Sequence, residues 1–233
     1  MRFHIIIITA ILITVKSYSQ SVGTQQEVRF FTEHVDLFNN NNIYDYPIPD
    51  DYRGSPYYYP SFLIGSIYLK SELLDRNVAL RYNAFADEIE FKKSTDKENT
   101  ETFAIIKSED VHVVINKETF IFKATKGYFI VIYDGVNFSL IKKLKKKFYP
   151  FKKAATSLTN DVPAIFIDEE TYYIATNDGS LIEFSGSKNK KLKAFKNNYN
   201  EAKAYVKKNN LDLSKERDMK RLIIYIDKLN DTK

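Results

Sequence analysis

Three features of this 233-residue chain predict a mainly β fold: an antiparallel meander, barrel-like or sandwich, with a short N-terminal helix and a small C-terminal helical cap. The first is the stretch Asn77–Phe91 (NVALRYNAFADEIEF), where Val78, Leu80, Tyr82 and Ala84 alternate with Ala79, Arg81 and Asn83, the period of a strand with one face on a core. The second is the repetition of short alternating segments, bounded by turn residues, through the middle of the chain. The third is a change of period in the tail, where apolar residues recur every three or four positions.

The first 19 residues are set aside. Arg2 followed by the apolar run Ile5–Val15 has the form of an export signal, with Ser17 and Ser19 as the small residues before a cut at Gln20. The run is shorter than the ~20 residues of a spanning helix. With no cysteine there is neither an acylated anchor, a disulfide framework nor a thiolate zinc site, so a soluble exported product held together by its core is expected. The 17 Tyr and 17 Phe support such a core and exclude a disordered class. Setting aside Arg2 and Lys16 leaves 33 basic against 30 acidic residues, too mild an excess for a nucleic-acid partner.

Residues 20–60 read as a helix followed by a Tyr/Pro-rich segment. Thr24 and Glu27 have capping-box spacing, and Val28, Phe31, Val35 and Phe38 then fall at helical intervals, so a helix is expected over Gln25–Leu37. The segment Tyr44–Pro60 carries Pro47, Pro49, Pro56 and Pro60 beside Gly54 and reads as an ordered loop or edge.

Residues 61–186 read as the β domain. Strands are expected at Phe62–Leu69 and Val78–Phe91, joined through Lys70–Asn77. In the second, Ile89 and Phe91 sit on the opposite parity from Leu80 and Tyr82, which requires a bulge or turn near Ala86–Glu88. Thr102–Ile106, Val111–Ile115 and Thr119–Lys123 follow, then Tyr128–Tyr133 and Val136–Leu144 flanking an Asp134-Gly135 hairpin signal. After a break at Tyr149–Thr159, Ala164–Ile167 and Thr171–Ala175 are expected as a further pair, with Asn177–Gly179 turning into Leu181–Phe184. Tight turns between sequential strands impose antiparallel pairing, because parallel strands need long crossovers.

Residues 187–233 read as the helical cap. Leu192, Phe195, Tyr199, Ala202 and Val206 form one stripe. Ser214 stands as N-cap for a helix over Lys215–Leu229 with Met219, Leu222, Ile223, Ile226 and Leu229 on its apolar face.

Gly54-Ser55-Pro56-Tyr57, Phe62, Gly65–Tyr68 (GSIY), Leu80–Phe91 (LRYNAFADEIEF), the Tyr128–Lys143 hairpin with the lysines after it, and the tail Ala202–Ile226 together resemble a family of uncharacterised exported proteins of the Bacteroidota. The resemblance spans most of the chain beyond the leader. It implies an envelope location and a shared fold, and carries over no catalytic residue, cofactor or ligand.

Motifs for chemistry are sparse. His34 and His112 are the only imidazoles beyond the leader and show no ligand spacing, so no metal or cofactor is expected. Asp87, Glu88 and Glu90, or Asp168, Glu169 and Glu170, offer oxygen ligands but lack the spaced Asp/Asn and Gly of a calcium loop, and read as solvated turn and strand-face carboxylates. There is no G-x-S-x-G, G-x-G-x-x-G or Walker loop, and no catalytic residue is assigned. Two groups suit binding. Lys142, Lys143, Lys145, Lys146 and Lys147, continued by Lys152 and Lys153, could meet an anionic glycan, lipid headgroup or polymer, or simply form a solvated strand end. Tyr52, Tyr57, Tyr58 and Tyr59, with Tyr44 and Tyr46, could stack on sugars, or form a lid over the sheet edge. The expectation is an exported, non-catalytic, envelope-associated binding or scaffolding protein whose partner is an anionic envelope glycan or another envelope protein. Its alternatives are a hydrolase of envelope polymers using paired carboxylates, with Glu88 or Glu90, and a protein-interaction module using the C-terminal helices.

Overall fold

The computed structural model describes residues 38–39, 52–92, 102–156, 158 and 160–231. The helix expected over Gln25–Leu37 lies outside these residues, whereas Phe38, assigned to its stripe, opens a strand.

The protein is mainly β. Its strands are β1 (Phe38–Asn39), β2 (Tyr52–Arg53), β3 (Leu63–Leu69), β4 (Glu72–Asn83), β5 (Glu88–Lys92), β6 (Thr102–Ile105), β7 (Val111–Ile115), β8 (Glu118–Lys123), β9 (Gly127–Tyr133), β10 (Phe138–Tyr149), β11 (Ala164–Thr176) and β12 (Leu181–Glu183). The helices are α1 (Lys188–Lys193), α2 (Tyr199–Lys208) and α3 (Glu216–Asp231). Among the described residues all twelve strands belong to one sheet, ordered β1-β6-β5-β4-β3-β7-β8-β9-β10-β11-β12 with β2 beside β11 off this path, rather than to the two sheets of a sandwich. Neighbours are antiparallel except β2, which runs parallel to β11 beside Ala164 and Ile165.

The sheet curls on itself. Tyr82 of β4 meets Phe120 of β8 at 5.4 Å and Tyr128 of β9 at 6.1 Å, although β3 and β7 separate them in strand order. Inside the curl lies one core, built from Ile67, Leu80, Tyr82, Ile89, Phe91, Phe120, Ile130 and Leu144 with their neighbours. A second core lies between the other end of β9–β12 and the helices, and includes Leu140, Ile174, Phe184, Leu192, Val206, Met219, Leu222 and Ile226. The long strand β10 contributes Leu140 to one core and Leu144 to the other, tying the cap to the sheet.

Several expectations are corrected. The stretch around Val78–Phe91 is a hairpin, β4 and β5 joined by Ala84–Asp87, with Asp87 in the left-handed region at φ 60°. This turn resolves the parity conflict. The connection expected over Lys70–Asn77 shrinks to Lys70-Ser71, because β4 already begins at Glu72. Register shifts at Gly65/Ser66 and Ile67/Tyr68, and a left-handed Asn77, interrupt the alternation and hide the first half of the strand. Asp134-Gly135 opens a four-residue loop to Asn137 rather than a two-residue turn. The expected break begins later, since β10 runs to Tyr149, and β11 is one continuous strand where two were expected. The physical reason is cross-strand charge: Lys146 pairs with Asp168, Lys147 with Glu169 and Lys142 with Glu170, so a carboxylate run that resembles a turn is held extended by the lysines opposite. Finally, Ser214 is not an N-cap. Its hydroxyl donates to Asp212 at 2.7 Å, and α3 starts at Glu216.

Candidate functional site

The tip of the β4–β5 hairpin closes the curl. Ala84 accepts a hydrogen bond from the Lys146 amide at 3.1 Å, and Asp87 plugs the turn between β8 and β9. Three donors converge on Asp87 Oδ1: the Tyr82 hydroxyl at 2.8 Å, Lys143 Nζ at 2.8 Å and the Tyr128 amide at 3.2 Å. The approach depends on Gly127, at φ 86°, because a Cβ there would lie 1.7 Å from Asp87 Oδ2. Burial and the Asp87 charge raise the Tyr82 hydroxyl well above its ordinary range, so it stays a neutral donor.

Around this plug is a depression of about 500 Å³, lined by Asp87, Lys107, Phe122, residues 124–127, Lys143, Lys145 and Tyr173. It gathers four lysines, Lys107, Lys126, Lys143 and Lys145, about one carboxylate already occupied by three donors. Lys143 is buried; desolvation lowers its pKa while Asp87 opposes that shift. Lys126 sits over the Tyr173 ring at 5.1 Å, and Tyr173 packs edge-on against Phe129 at 5.4 Å. Lys107 and Lys145 form no ion pair among the described residues. The chemistry offered is a cationic, ring-floored concavity suited to an anionic group.

The structure divides the five-lysine run between roles. Lys142 is buried and paired with Glu216 of α3 at 3.1 Å and Glu170 at 3.7 Å; Lys146 and Lys147 pair with β11 carboxylates; Lys143 and Lys145 line the depression. Lys107, Lys126 and Tyr173 were not anticipated. The only sequence signal for them is the Lys126-Gly127 turn, since their convergence is a product of the curl.

The tyrosines are partly enclosed. Tyr58 and Tyr59 both donate to Glu118, at 3.2 and 2.6 Å, and Tyr58 packs on Phe120. Burial and this carboxylate raise both hydroxyls above their ordinary range. Tyr57 covers the Arg81 guanidinium at 3.5 Å, and Tyr52 meets Phe166 edge-on at 5.4 Å. They do not line the lysine depression.

The carboxylates near the hairpin tip face different partners. Glu90 is 1 % exposed, with Oε2 taken by Arg81 at 2.6 Å and Oε1 by Asn83 at 3.0 Å. Glu88 keeps one buried oxygen without a hydrogen-bond partner, and desolvation raises its pKa against the pull of Lys107. His112 stacks on Tyr68 at 4.7 Å. Among the described residues no three His, Asp or Glu side chains gather as metal ligands, and no helix is long and apolar enough to cross a membrane.

A different aspartate holds the cap. Asp227 of α3 is 2 % exposed and accepts from the Tyr133 hydroxyl at 2.8 Å and from the amides of Val136, Asn137 and Phe138 at 3.2, 2.7 and 2.9 Å. Burial alone would raise its pKa, but the four donors outweigh it and hold the carboxyl below its ordinary range. The chain matches no protein-family model, no curated protein and no solved structure, which leaves this geometry as the ground for a functional reading.

Proposed function

We propose that the protein is an exported, non-catalytic binding protein of the cell envelope that holds an anionic group of an envelope glycan or polymer in the depression between the β4–β5 hairpin tip, the β8–β9 turn and β10. The observation that carries this is the convergence of Lys107, Lys126, Lys143 and Lys145 on a concavity lined by a single carboxylate, Asp87, whose Oδ1 already takes three donors. Export is supported by the leader-like residues 1–19. The paired-carboxylate hydrolase has weaker support, because both oxygens of Glu90 are held by Arg81 and Asn83. An interaction module built on the apolar stripe of α3 has weaker support too, since Met219, Leu222, Ile223 and Ile226 are fully enclosed in the second core.

Calorimetric titration with a carboxylated glycan, at low and high salt, tests the reading. Saturable, salt-sensitive binding is expected. Replacing Lys107 and Lys145 together by glutamine, which disturbs no ion pair among the described residues, should weaken it roughly tenfold and flatten its salt dependence. Equal affinity in that variant, or no saturable binding at low salt, would reject the depression as the site.

A further inference from the structure

We infer that the outward face of the β10–β11 arm is a docking surface for a lipid bilayer bearing anionic headgroups. Beyond the depression the two strands continue as a paired arm. Lys147 lies opposite Ile167 and Tyr149 opposite Ile165, and a reciprocal pair of backbone hydrogen bonds between Lys152 and Val162, at 2.9 and 2.8 Å, extends the pairing past the strand ends. The Ala154 amide donates to Asp161 at 2.7 Å and fixes the neck of the terminal loop.

The arm has two unlike faces. One packs inward, where Phe148, Phe85 and Tyr52 surround Phe166 at 4.9, 5.3 and 5.4 Å. By the alternation of the strand, Lys147, Tyr149 and Phe151 share the other face, with Ile167 beside them. Phe151 is 56 % exposed and Leu158, in the terminal loop, 95 %. Most of the large exposed apolar side chains among the described residues lie on this arm or its edge, a concentration that marks an interaction surface rather than scatter.

The charges select the occupant. Lys152 and Lys153 are exposed beside Phe151, and Lys147 stands 5.2 Å from the centre of the Tyr149 ring. The acidic groups of the arm are engaged, Asp161 by the neck amide, Asp168 by Lys146 and Glu169 by Lys147. Apolar tips ringed by lysines suit the boundary between acyl chains and anionic headgroups, with aromatic rings at the interface and ammonium groups reaching the phosphates. Pro150 and Pro163 remove amide donors at the neck, which disfavours strand addition by a second chain. This inference rests on residues separate from Lys107 and Lys145, so it stands or falls apart from the glycan reading.

The chain contains no tryptophan, so Phe151→Trp in the full chain places the sole tryptophan on the arm. With vesicles of phosphatidylglycerol and phosphatidylcholine, its emission should shift to the blue and be quenched by lipids brominated in the acyl chain. Vesicles of phosphatidylcholine alone should produce neither change. Replacing Phe151 and Leu158 together by serine should reduce the vesicle-bound fraction at any salt. Lys152→Gln with Lys153→Gln should weaken binding at low salt only, roughly fivefold per charge, and the Lys107/Lys145 variant should leave the blue shift intact. Unchanged emission at saturating anionic lipid would overturn the inference. So would equal shifts with both vesicle types, or a blue shift that grows with protein concentration without lipid, which would identify a second copy as the occupant.

Discussion

Each half of the molecule is closed by one aspartate clasping a turn, and each clasp needs a glycine. Asp87 closes the curled sheet against Gly127; Asp227 closes the helical cap against Gly135, where a Cβ would lie 2.3 Å from Asp227 Oδ2. The difference is in the surroundings. Asp227 is sealed and draws three of its four donors from the backbone, so it acts as structure alone. Asp87 keeps a side chain 28 % exposed, shares a lysine, and sets the charge of an open depression. A carboxylate held mostly by amides at an enclosed position stabilises a loop; the same group beside lysines at an opening also tunes what that opening accepts.

The sharpest way to break the comparison is Asp227→Ala. It strands three amides and a hydroxyl in a buried site and should cost about 3 kcal/mol or more, read as a large fall in thermal midpoint. Its pH signature follows from the depressed carboxyl. The contribution is fully present above the unfolded value of about 3.9 and is lost as pH falls through the lower folded value. Acid unfolding monitored by circular dichroism should lose that step in Asp227→Asn.

Gly127→Ala should follow, at about 2–3 kcal/mol, because a methyl there collides with Asp87 in addition to the left-handed strain. Gly179→Ala is the control: φ is 84° with nothing within 4 Å of the added carbon, so only the strain of about 1 kcal/mol is expected. Equal losses in the two variants would show that the Asp87 plug does not hold the curl closed.

Asp87→Asn should be milder in stability, about 2 kcal/mol, since the amide oxygen still accepts from Tyr82 and the Tyr128 amide while Lys143 loses its counter-charge. It should also tighten anion binding a few-fold, which Asp227→Asn should not. A parallel effect of both variants on affinity would erase the functional half of the comparison. Smallest of all, Lys147→Gln removes an exposed pair with Glu169 and should leave the midpoint of chemical denaturation unchanged.

How much of this was legible differs by element. The exact bounds of β7, and β8, β9 and β12 within a residue, follow from alternation between clear turn residues. The first half of β4 was not legible, because two register shifts and a left-handed asparagine erase the period locally. The unity of β11 was hidden for another reason. Asp168–Glu170 reads as a turn until the lysines of β10, Lys146 standing 22 residues before Asp168, are placed opposite it. The lysine run was visible as charge, but its division into buried pairs, ladder partners and depression lining is a property of register and curvature.

Alternation, the tight turns and the periodic tail determined from the sequence alone that this is an antiparallel β protein finished by helices, because period and turn chemistry are local. Tertiary structure decided the rest: that the sheet is single and curled, that Asp87 and Asp227 are its clasps, and that lysines from the β6–β7 connection, the β8–β9 turn and β10 share one depression. Those outcomes depend on which distant side chains meet when the apolar faces close, and no local pattern encodes that meeting.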